Sequence, residues 1–160
     1  MRYIGIALLL FGAYTVYKKY LLYLNASYEE CSAYVSLIEL LYGKVSCYLA
    51  PQNEVIMHFE SEALETCGFL PEMRRCGSVR EAFHKASKDS RMPPEAVEAL
   101  RSLFESFGAG YLDSQLRAME ICLSRLEKII EKEKAQLDTR RRVAGALTFA
   151  VAAGCALFFI

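Results

Sequence analysis

"LNASYEECSAYVSLIELLYGKVSCYL", residues 24–49, sets Leu24, Tyr28, Cys31, Val35, Ile38, Tyr42, Val45 and Leu49 at alternating steps of four and three. That spacing returns an apolar side chain to one face of an α-helix every turn and forms a heptad seam. Leu112, Leu116, Met119, Leu123, Leu126, Ile130 and Leu137 repeat it near the other end, interrupted only at Glu133. Two such helices bury their seams against each other when they run antiparallel. The fold class expected is therefore all-α, an antiparallel helical bundle.

Between the two seams, Pro51, "CGFLPEMRRCGS" and the pair Pro93 and Pro94 punctuate shorter helices. Ser78 to Glu81, "SVRE", has capping-box spacing and should open one helix. "PPEAVEALRSLFESF" has proline at its start and Gly108 just past its end, and should form another. No stretch alternates like a strand for a useful length.

Outward from the seams lie two apolar ends. Arg140, Arg141 and Arg142 precede an uncharged run from Val143 to Ile160, eighteen residues, at the short end of the roughly 17–25 a spanning helix needs. At the other end Tyr3 to Tyr17 is uncharged between Arg2 and the pair Lys18 and Lys19, with Tyr14, Tyr17 and Tyr20 as an aromatic belt. This end lacks the small-x-small site of a cleaved signal, which favours a retained span. The organisation expected is an N-terminal transmembrane segment at 1–19, a helical bundle at 20–142 and a C-terminal transmembrane anchor at 143–160. Ala146, Ala150 and Gly154 recur every fourth residue and offer a smooth ridge for close helix packing in a bilayer.

The formal net charge is zero, from 19 basic and 19 acidic residues. Six of the basic residues flank the apolar ends, leaving 13 basic against 19 acidic ones in the middle. A surface of that sign repels a phosphate backbone and argues against nucleic acid. Both ends carry positive charge on the side facing the middle, so the positive-inside rule puts the middle in the cytoplasm. In that reducing compartment Cys31, Cys47, Cys67, Cys76, Cys122 and Cys155 read as free, mostly buried thiols.

Chemistry is sparse. His58 and His84 have no metal-ligand spacing around them. "FGAGYLD" resembles a glycine-rich phosphate loop but lacks the preceding strand and the lysine that would hold phosphate. It reads as a helix–helix turn, with Gly108 and Gly110 ending one helix and Asp113 or Ser114 capping the next. No catalytic residue, metal, cofactor or small-molecule substrate is expected.

The arrangement resembles the stage III sporulation protein AB family along nearly the whole chain. "IELLYG", Ile38 to Gly43, looks like that family's Glu-hydrophobic-x-Tyr stretch. Phe107-Gly108 with Gln115 seven residues after the glycine resembles its Leu-Gly and downstream Gln, and Met119, Ile121, Leu123, Leu126 and Glu127 follow in register. Tyr111 stands where the family's aspartate is expected, with Asp113 two places on, and "KVSC" replaces a Thr-Pro. The resemblance implies a fold similar to the cytoplasmic helical domain of the type II secretion platform protein. It also implies a non-enzymatic scaffold in a secretion-like complex joining mother cell and forespore during engulfment. Its partners would be the bilayer, other stage III subunits and a cytoplasmic secretion-type ATPase. A membrane-tethered coiled-coil adaptor unrelated to sporulation shares the heptads and anchors, but needs no fixed turn motif.

With helices rising from the membrane to about Leu49 and returning from about Asp113, residues 50–112 lie some 35–45 Å away from it. There Arg74, Arg75 and Arg80 form a positive cluster beside Phe69 and Leu70, a candidate docking patch for a partner. The alternative is that Phe69 and Leu70 point inward and the arginines pair with nearby glutamates.

Overall fold

The computed structural model describes residues 2–48, 52–108 and 111–157, and the side chains of 2–10, 13, 16, 24, 47, 48, 138 and most of 140–157 lie outside that description. Every regular element among them is helical: α1 (Arg2–Tyr48), α2 (Gln52–Met57), α3 (Glu62–Thr66), α4 (Phe69–Cys76), α5 (Val79–Ala86), α6 (Pro94–Glu105) and α7 (Leu112–Leu157). The all-α expectation holds. The chain divides into two compact units, one of residues 25–131 and one of residues 1–24 with 132–160.

In the unit of residues 25–131, α1 and α7 run antiparallel. The Tyr42 hydroxyl donates to Glu120 at 2.7 Å, and Gln52 is bonded to Gln115, so rising numbers on one side meet falling numbers on the other. The buried stripe of α1 is wider than the heptad seam. It includes Cys31, Ile38 and Val45 from that seam, but also Ser27, Glu30, Tyr34, Leu37 and Leu41, while Tyr28, Val35 and Tyr42 are half-buried. A helix that faces several neighbours buries a stripe wider than the narrow seam used against one partner. On α7 the same correction brings in Cys122 beside Met119 and Leu126 and leaves Leu112 exposed.

The core between them is aromatic. Tyr34 meets Phe69 edge-on at 5.3 Å and Phe83 at 5.8 Å, and Phe104 lies 5.1 Å from Phe83 and 5.8 Å from Phe69. Burial holds the Tyr34 phenol well above its usual range, reinforced by Cys67, to which its hydroxyl is bonded, and by Glu30. Burial also pushes the Cys122 thiol up to about 11, against the pull of Arg125. Among the described residues no buried side-chain nitrogen or oxygen lacks a partner.

The other unit holds the start of α1 and the end of α7. Phe11, Tyr14, Tyr20, Leu22, Tyr23 and Val143 are exposed on it. Among the described residues no helix is long and apolar enough to cross a membrane, so the expectation of two spanning helices finds no support among them. The apolar run of α1 is the fifteen residues from Tyr3 to Tyr17, closed by Lys18 and Lys19. That of α7 has fifteen residues from Val143 to Leu157, entered through three arginines, because residues 158–160 lie outside the described ones. Ala146, Ala150 and Gly154 lie on this stretch, and their side chains are also outside the described ones.

Candidate functional site

Two turns shape one groove in the unit of residues 25–131. The first follows α4. Gly77 takes a left-handed conformation, φ +66°, and its N–H returns to the Met73 carbonyl at 2.9 Å, which closes the helix. Ser78 is extended, and its hydroxyl accepts the Glu81 N–H at the start of α5, as the capping-box spacing predicts. Asn53 on α2 donates to the Gly77 carbonyl at 3.5 Å and holds this turn from the side.

The second turn follows α6, which begins at Pro94 as expected and ends at Glu105. Gly108 has φ +77°, with no atom within 4 Å of where a side chain would begin, so its backbone and not crowding calls for glycine. Gly110 lies outside the described residues. α7 opens at Leu112, and the Tyr111 carbonyl accepts the N–H groups of Ser114 and Gln115. Tyr111 therefore stands in the capping position expected of Asp113 or Ser114, which lie within the first turn.

Together the turns enclose a cavity of about 720 Å³ with Val45, Phe104, Phe107 and Leu112 on its apolar side. Gln52, Asn53, Ser78, Arg80, Glu81 and Gln115 supply its polar side. Arg80 also donates to the Glu105 carbonyl, a cation set at the C-terminal end of α6 where the helix dipole favours it. The groove is an amphipathic cleft whose amides are engaged within the chain, Gln52 with Gln115 and Asn53 with the Gly77 carbonyl.

The site residues expected from sequence therefore separate. Phe107, Gly108, Gln115 and Arg80 come together in the groove, while Asp113 is exposed and outside its lining. Phe69 and Leu70 are fully buried, so they cannot dock a partner. They open α4, and their side chains fill the core that Tyr34 and Phe104 complete. Arg74 pairs with Glu65 at 2.6 Å and Arg75 with Glu72 at 2.7 Å. Arg75 and then Lys85 hold the Glu72 carboxyl below its usual range. This removes Phe69 and Leu70 from the expected patch, leaves Arg74 and Arg75 exposed in ion pairs, and brings Arg80 alone of the five into the groove.

Sequence reasoning missed Gln52, whose bond to Gln115 ties α2 to α7, and Glu30. Glu30 is 4% exposed, accepting from the Ser90 hydroxyl at 2.8 Å and the Arg91 N–H at 3.1 Å. A carboxylate inside the apolar stripe of α1, beside Cys31, was the available signal. A second cavity of about 540 Å³ lies near it, bounded by Glu29, Glu30, Glu62 and Asp89 with Arg91. Among the described residues no group of acidic, histidine or cysteine side chains is arranged to hold a metal ion.

Comparison with curated proteins and with solved structures finds no match. Against known families the result is different: the family described as stage III sporulation protein AB matches residues 2–160. That range takes in both long helices, the two glycine turns and the groove between them, and the chain belongs to the stage III sporulation protein AB family.

Proposed function

We propose that this protein is a membrane-tethered, non-enzymatic scaffold of the secretion-like complex between mother cell and forespore, and that the 720 Å³ groove receives a segment of another subunit. The observation that carries this reading is the family match over residues 2–160, joined to a groove that gathers Phe107, Gly108 and Gln115 into one cleft. A scaffold role fits the way the polar groups are used. Glu30, Tyr42 and Gln52 all spend their hydrogen bonds on fixing the fold. A cytoplasmic secretion-type ATPase and other stage III subunits are the partners this reading calls for.

Support for the tether comes from the sequence and from exposed surface. The full run from Val143 to Ile160 reaches eighteen uncharged residues behind Arg140, Arg141 and Arg142, which is enough for a span of about 27 Å. Tyr14, Tyr20 and Tyr23 are exposed near Lys18 and Lys19, the amphipathic composition that suits a membrane–water boundary. In this arrangement the bundle faces the mother-cell cytoplasm. An exposed Ser102→Cys variant should react with a membrane-impermeant maleimide only after the cells are opened. Reaction in intact mother cells would place the bundle on the other side.

In an endospore-forming host lacking its own copy, the wild-type chain should restore heat-resistant spores. Glu81→Trp, which fills the groove from an exposed position, should leave helicity and membrane recovery unchanged and reduce spore counts to those of the deletion. Full sporulation by that variant would remove the groove from the mechanism. Failure of the wild-type chain itself to complement would count against the scaffold reading.

A further inference from the structure

Charge is divided unevenly between the two units. Residues 25–131 hold 11 basic and 17 acidic residues, whereas residues 1–24 with 132–160 hold 8 basic and only 2 acidic ones, Glu133 and Asp138. Two short stretches supply five of those eight cations. Lys18 and Lys19 close the apolar run of α1, and Arg140, Arg141 and Arg142 open that of α7, so each set lies at the end of its run nearer in sequence to residues 25–131.

Lys18 and Lys19 are exposed, and among the described residues neither is in an ion pair. Their charge is left for a group outside the chain. Along the same helix Tyr14, Tyr20 and Tyr23 are 54%, 45% and 52% exposed. A phenol ring suits the depth at which acyl chains meet headgroups, and a lysine stem lets the ammonium reach the phosphates from that depth. A nucleic acid would satisfy the cations but leave the apolar runs in water. A bilayer surface of net negative charge satisfies both.

We propose that Lys18, Lys19 and Arg140–Arg142, with the tyrosines beside them, select anionic phospholipids over zwitterionic ones. This inference rests on the membrane reading above and adds the lipid class to it. A choline headgroup brings its own ammonium beside the phosphate and repels the cations as much as it attracts them. A glycerol headgroup leaves the phosphate charge uncompensated, which is the charge that draws basic residues to a membrane surface.

The test uses the full chain carrying Phe11→Trp and reconstituted in bilayers, because the chain has no tryptophan of its own and Phe11 is 67% exposed on the apolar run. Phosphatidylcholine with brominated acyl chains should quench this tryptophan. Unbrominated phosphatidylglycerol should relieve the quenching as a lipid that associates about three- to tenfold better than unbrominated phosphatidylcholine, with the preference fading as salt rises from about 50 to about 500 mM. Lys18→Gln, Lys19→Gln, Arg140→Gln, Arg141→Gln and Arg142→Gln together should abolish the preference while quenching by the brominated lipid persists. Lys18→Gln with Lys19→Gln alone should roughly halve it, and this pair decides the matter if the fivefold variant does not insert. Quenching without any preference, or a preference that survives these substitutions, would overturn the lipid selection and leave the tether standing. Loss of the preference in phosphate but not in chloride of equal ionic strength would assign the cations to a free anion and overturn it as well. No quenching of the unsubstituted chain by brominated phosphatidylcholine would overturn the tether and this inference together.

Discussion

Phe104→Ala is expected to lower the unfolding free energy of the bundle by about 3–5 kcal/mol. Phe104 is 2% exposed, and its ring lies 5.1 Å from Phe83, 5.8 Å from both Phe69 and Phe107, and 6.3 Å from Tyr34. Its removal strips one face from each of four aromatic side chains drawn from α1, α4, α5 and the turn after α6. Rings held by rings cannot collapse into the void without leaving their own contacts, so the cavity term is retained. Against a total of roughly 5–15 kcal/mol for a domain, this approaches the margin of folding. Phe104→Leu keeps most of the volume and should cost well under half as much. Urea unfolding followed by circular dichroism reads both, and a Phe104→Ala midpoint equal to that of the wild type would refute the aromatic core as the main source of stability.

Glu30→Ala is the second large effect, expected at about 2–3 kcal/mol, because it removes the acceptor of two hydrogen bonds and leaves the Arg91 N–H without its buried partner. The Ser90 hydroxyl accepts the Met92 N–H at 3.1 Å while donating to Glu30, so the carboxylate organises the whole segment between α5 and α6. Glu30→Gln retains the shape and one acceptor oxygen and should fall between the two. Trypsin provides an independent readout: Lys88 and Arg91 are exposed, and in Glu30→Ala the chain should be cut there much faster than in the wild type. Equal cleavage rates would show that this segment is held by something other than Glu30.

Local signals in the sequence were read correctly where one or two residues decide the outcome. Ser78 caps α5, Pro94 opens α6 and Gly108 turns left-handed beyond it, each a property of the backbone within one turn. The width of the buried stripe on α1 was not legible. Periodicity finds an apolar direction but not how many neighbours share it, so Tyr34, Leu37 and Leu41 were left off the seam. The apolar half of the docking patch failed for a related reason. Phe69 and Leu70 sit beside arginines in sequence, yet one turn of α4 sends the apolar pair inward and leaves Arg74 and Arg75 to neighbouring glutamates. The groove was visible only as scattered residues, because Arg80, Phe107 and Gln115 meet through three different elements.

The bond from Tyr42 to Glu120 spans 78 positions in the chain. Synthesis at about 5–20 residues per second puts roughly 4–16 seconds between the two groups emerging from the ribosome. Throughout that interval the face of α1 bearing Tyr34, Leu37 and Leu41 has been made while Met119, Cys122 and Leu126 of α7 have not, so the nascent chain carries an apolar helix with no mate. Early docking of α4 and α5 onto it, through Phe69 and Phe83, gives that surface a temporary cover.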